Sequence, residues 1–326
     1  MINKRDRAFL LFDLSPSEHS WRGLWMLVGV YLGSILFAAI VSPWVYWLVL
    51  AWNQVMPNDL NTYLAQKSFD DYFDRLRWIP VILSLSWVMR ACGLLSWARL
   101  GVSFERRAVL GALRWFILGC LVVGLAAWVQ CLFASVDYVG RDAWLEWFGV
   151  VLKALVGAIL VGFFEEIVFR GLIFRLFYTA LTPRIAIILS SLFFAYAHFK
   201  MPGAVWDATD QVVTWRSGFF VGLWTLVGIS QNFEVLPFLN LLALGILLCL
   251  VFERFRSLLP CIGFHAGIVA VLLSYKRLFA VHEDSLSWLL GGSKMIDGIV
   301  PFFVIVGMIF FLFLMPVRRL DRGNQA

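Results

Sequence analysis

Residues 151–171 read VLKALVGAILVGFFEEIVFRG. The first eleven are apolar except for Lys153, and they have the character of a helix that crosses a bilayer. The next ten place Glu165, Glu166 and Arg170 in the same apolar setting. A charge near the centre of a bilayer costs from ~3 to more than 10 kcal/mol, depending on the measurement. The apolar run therefore points to the fold, and the three charges kept inside it point to a function.

The rest of the chain has the same character. Of 326 residues, 61% are hydrophobic and 15% are charged. Apolar runs recur at lengths near the ~20 residues that cross ~30 Å of hydrocarbon. A transmembrane β-barrel would show short alternating segments instead. The fold class expected is an all-α polytopic membrane protein with about eight transmembrane helices. The runs cover 23–52, 78–97, 108–134, 148–178, 184–199, 238–252, 258–275 and 299–315. Segment 217–229 is apolar but too short to cross, and reads as re-entrant or interfacial. Arginines cluster in alternate loops and near both ends, which predicts cytoplasmic termini and an integral protein of a bacterial inner membrane. Three regions are expected: N-terminal membrane helices over 1–147, a catalytic helical core over 148–275, and a C-terminal helix with a basic tail over 276–326.

The formal charge of +6 resides in short loops and termini, so the partner it implies is the lipid bilayer and no nucleic acid. Cys92, Cys120, Cys131, Cys249 and Cys261 all fall in apolar runs without a CxxC pair, which excludes a disulfide framework and a thiolate zinc site. Nothing in the sequence sets the oligomeric state or names a substrate.

The polar residues inside the membrane converge. Glu165 and His198 lie about equally far from the turn near 181–182, so an antiparallel helix pair with ~1.5 Å rise per residue brings them to one depth. Glu166 and Arg170 are four residues apart and share a helix face, so they can neutralise each other and leave Glu165 for another partner. His265 sits early in the run 258–275 among Gly263, Ala266 and Gly267, small residues that let another helix approach closely. Each feature alone has a structural reading: a Glu–Arg lock, a packed histidine, a lipid-facing aromatic belt. Together at one depth they make a kit for activating water.

In order and spacing these motifs resemble the CPBP family of intramembrane proteases, which includes the CAAX prenyl endopeptidases and bacteriocin-processing or immunity proteins. Glu165-Glu166 and Arg170 match its EExxxR motif, Phe194 and His198 its FxxxH motif, and His265 the histidine of its third motif. The resemblance covers about 150–272. It implies an endopeptidase acting on a membrane-associated protein or peptide. Glu165 would be the general base, His198 would orient it, and His265 would polarise the carbonyl or stabilise the oxyanion. Glu166, Arg170 and Phe194 would support them. Zinc is a candidate cofactor, held by Glu165, His198 and His265; a metal-free mechanism uses the same residues. One departure is Val269, where the family often has Asn or Asp. Either Asn240 or a backbone donor then serves the oxyanion, or the activity is weakened or lost. The competing reading is a non-catalytic immunity or partner-binding member. A transporter with a proton relay fits less well, because the polar groups cluster at one depth and the first three runs hold few charges.

Overall fold

The computed structural model describes residues 18–134, 136–140, 144–199, 212–227, 233–282, 286–292 and 294–314. The expected cytoplasmic ends, at 1–17 and 315–326, and loop residues 200–211 lie outside the described residues. The chain is an all-α membrane protein, with a two-stranded antiparallel sheet as its described strand content. Five helices are long and apolar enough to cross a bilayer: Trp21–Val55, Arg106–Phe133, Trp144–Ala180, Val235–Phe255 and Leu258–Leu278. Three shorter apolar helices accompany them, Pro183–His198, Ser217–Val227 and Ile299–Leu314.

The described residues divide into two compact units. The first comprises Ser96–Ala195 and Glu234–Ala326, as far as these are described. The second comprises Ser17–Leu95 and Tyr196–Phe233.

In the second unit, α1 (Glu18–Val55) packs along α3 (Phe69–Ala91), with the short α2 (Asp59–Ala65) between them in sequence. The helix α3 starts and stops earlier than the run 78–97 suggests. Asp70 and Asp71 stabilise its first turn through the helix dipole, and Gly93, at φ 68°, ends the stretch that follows it. The segment expected to be re-entrant or interfacial is the short α9 (Ser217–Val227), which lies against α1. A Cβ at Gly218 would collide with the Ala39 carbonyl, so the two backbones are in direct contact. Ile35, Ala38, Phe69, Phe73 and Val221 form the apolar core of this unit.

The first unit centres on α11 (Leu258–Leu278), which packs on α5 (Arg106–Phe133) and α6 (Trp144–Glu166). Small residues make both approaches close. A Cβ at Gly263 would strike Ala112 O, and one at Gly267 would strike Phe116 O, both on α5. The sheet pairs β1 (Val136–Tyr138) with β2 (Phe279–Val281) and ties the end of α5 to the end of α11. The helix α10 (Val235–Phe255) carries α13 (Ile299–Leu314) on its side, after the single-turn α12 (Ser287–Leu290). A four-residue helix α4 (Trp97–Leu100) precedes α5, and α8 (Pro183–His198) runs from this unit into the second.

The run expected as one helix over 148–178 is interrupted. After α6 comes a π-helix over Ile167–Phe174, and only then the short α7 (Arg175–Ala180). Every residue of the π stretch is buried except the half-buried Val168. Such wide turns are frequent at functional sites, and this one begins directly after Glu165 and Glu166.

Candidate active site

The last turn of α6 carries two carboxylates with opposite surroundings. Glu166 is fully buried, whereas the Glu165 side chain keeps 31% of its surface exposed. Arg170, in the first turn of the π stretch, donates from Nη1 to Glu166 Oε1 at 2.9 Å. The guanidinium is also fully buried and lies 4.3 Å from the centre of the Phe194 ring, a cation–π contact. Its Nη2 reaches Gly245 O on α10 at 3.4 Å. A carboxylate so placed, bonded to a guanidinium that is always charged, is in its ionised form.

His265 adds the second bond to the same oxygen. Its Nδ1 lies 2.7 Å from Glu166 Oε1. An ionised carboxylate only accepts, so Nδ1 carries the proton and Nε2 is the ring atom left to face outward. Nε2 lies 3.9 Å from Glu165 Oε2, too long for a hydrogen bond but close enough for one reacting group to touch both. The approach is set by the helices. A Cβ at Gly162 would fall 3.0 Å from Ala266 N, so α6 and α11 meet at that level without a side chain between them. Phe194, on α8, seats its ring edge-on to His265 at 6.1 Å and to Phe169 at 5.0 Å.

The structure thus brings Glu165, Glu166, Arg170, His265 and Phe194 together. His198 is the last residue of α8, half-buried, and belongs to the second unit, where neighbouring Tyr196 faces Tyr31 across 3.4 Å between hydroxyls. The bond between His265 and Glu166 was not read from the sequence, which assigns Glu166 to Arg170 alone. The small residues Gly162 and Ala266 signal a close helix contact, not the bond itself.

The expectation for Asn240 needs correction. The Asn240 amide nitrogen is held by Leu236 O at 3.1 Å, Ile296 O at 2.9 Å and Gly298 O at 3.0 Å. Its donor capacity is used in anchoring the loop before α13.

Among the described residues, no group of three or more His, Cys, Asp and Glu side chains is gathered to hold a metal ion. Glu165 and His265 are two of the three protein ligands that a catalytic zinc would take. The arrangement of His265 backed by Glu166 would suit a zinc ligand, and it equally suits a histidine that works on substrate directly.

Residues 147–271 match the family model described as Type II CAAX prenyl endopeptidase Rce1-like. This stretch is an Rce1-like domain. It covers somewhat over a third of the chain and contains every residue of the cluster described above. The match likens this stretch to the CAAX-type intramembrane proteases. The chain has no match among the curated proteins and none among the solved structures.

Proposed function

We propose that the protein is an intramembrane endopeptidase that hydrolyses a peptide bond of a membrane-associated protein or peptide, using water activated by Glu165. The observation that carries this reading is the line Arg170–Glu166–His265, which ends with Nε2 turned toward the half-exposed Glu165. Glu165 takes a proton from water, and the hydroxide attacks the scissile carbonyl carbon. The negative charge that forms on the carbonyl oxygen needs a donor. With Val269 apolar and the Asn240 amide already used, that donor is Nε2–H of His265. For that role His265 enters the cycle already protonated at both ring nitrogens, with Glu166 as its counter-charge, and keeps both protons throughout. Collapse of the tetrahedral intermediate returns the proton from Glu165 to the leaving amine. His198 is proposed to orient Glu165 and its water, as the resemblance of its FxxxH motif implies.

A zinc ion bound among Glu165, His198 and His265 would supply Lewis-acid polarisation of the carbonyl; the roles above do not route through it. A second reading, a peptide-binding member without turnover, draws on the apolar Val269. The test is substrate processing in membranes from a strain lacking the protein, complemented at matched abundance with His265→Ala or His198→Ala. Loss of processing in both is the expected result. Full processing by either would remove that residue from the mechanism, and full processing by both favours the binding reading. Inhibition by a chelator with recovery on added zinc would assign the metal-dependent form.

A further inference from the structure

The end of the first unit nearest the site carries an arginine patch that the chemistry above does not use. Arg99, Arg106 and Arg107 are exposed within nine residues of one another, and Arg184 is exposed at the start of α8. The acids at this end are Glu105 and Glu253. No lysine is among the cations of segment 96–107. Beside the arginines, Trp97 and Phe104 stay 50% and 72% exposed while packing edge-on to each other at 6.1 Å. Indole and phenyl rings next to arginines, at the end of the apolar span of α5, are the composition of a headgroup-level anchor. Arg106 and Arg107 also occupy the first turn of α5, directly after Glu105 at its N-cap.

We infer that segment 96–107 is a binding surface for the phosphate of anionic phospholipid headgroups. Charge complementarity selects the occupant. Guanidinium forks match phosphate oxygens two at a time, which an ammonium cannot do. The aromatic pair suits a phosphate attached to acyl chains better than a free ion. The segment is also tied to the elements of the site. Arg99 O accepts from Arg175, just past the π stretch. Gly101 O accepts from Ser257 Oγ at 2.9 Å and from Leu258 N at 3.2 Å, at the start of the helix that carries His265. The Trp97 ring lies 6.0 Å from that of Phe163, two residues before Glu165. A lipid held here steadies the beginning of α11 and the end of the π stretch together.

The experiment uses the full chain in a zwitterionic detergent, titrated with phosphatidylglycerol or phosphatidylcholine. Thermal midpoint and bound lipids counted by native mass spectrometry are the readouts, so the result does not depend on protease activity. Phosphatidylglycerol is expected to bind and raise the midpoint by several degrees at concentrations where phosphatidylcholine does neither. The variant Arg99→Gln/Arg106→Gln/Arg107→Gln should need at least tenfold more lipid for the same shift. Lys276→Gln/Arg277→Gln, at the opposite end of α11, should behave as wild type. If the triple glutamine variant fails to fold, Arg106→Lys/Arg107→Lys keeps the charge and should still weaken the response several-fold. Equal effects of the two lipids, an unchanged response of the arginine variants, or the same shift from inorganic phosphate alone would overturn the inference.

Discussion

Glu166 Oε1 takes one bond from Arg170 and one from His265, so a single buried oxygen holds both a cation and the ring that faces Glu165. Replacing it by glutamine removes the negative charge and leaves Arg170 buried without its counter-ion. Breaking one side of a buried pair typically costs ~3–5 kcal/mol, so Glu166→Gln should lower the unfolding midpoint in detergent and reduce processing together. Normal stability with no processing would instead make Glu166 the base. Val269 offers a gain in the other direction. It follows His265 by four residues on the same helix face, so Val269→Asn should supply a second oxyanion donor. Such donors are worth roughly 10²–10³ in rate where geometry is ideal, and even a several-fold rise in initial rate at matched abundance would support the role given to His265. At this scale the sequence disclosed residue types and spacings, including the Glu166–Arg170 pair. It could not disclose the Glu166–His265 bond, because that depends on how α6 and α11 are rotated about their axes, nor that the Asn240 amide is turned to the loop carbonyls at 296 and 298.

The helices themselves were legible where apolar runs are long, as in α5, α10 and α11. They were less so at α3, where acids and a glycine turn shift both ends. The π stretch left no periodicity to read, since its residues are almost all apolar and buried and any helical phase would fit them. The small residues of α11 were recognisable as contact points, but their partners were not. Gly263 meets Ala112 and Gly267 meets Phe116, backbone to side-chain position, along one seam with α5. A methyl group at either site has no space unless the helices separate. Gly263→Ala and Gly267→Ala are therefore each expected to destabilise the protein by about 1–3 kcal/mol, the usual range for overpacking. Melting curves of the purified variants would show it, with Gly29→Ala on α1, where a Cβ meets nothing within 4 Å, as the neutral control. Unchanged melting of both α11 variants would mean that this seam does not hold α11 in place.

For the whole molecule, composition alone was enough to predict a membrane protein, because 61% hydrophobic residues in runs near bilayer length have no other outlet. The number of crossings was harder to read, since three apolar helices are shorter than a span requires by themselves. Eight crossings put both ends on one side, so reporters fused to the two termini should report the same compartment, the cytoplasm; opposite compartments would require an odd count. Turnover of a membrane substrate through Glu165 is the proposed activity. Its most direct test is Glu165→Gln, a nearly isosteric change at a side chain with 31% of its surface exposed, which removes the base. Processing of the membrane substrate should disappear while membrane abundance and melting midpoint stay at wild-type values. Full processing by Glu165→Gln at wild-type abundance would contradict the account.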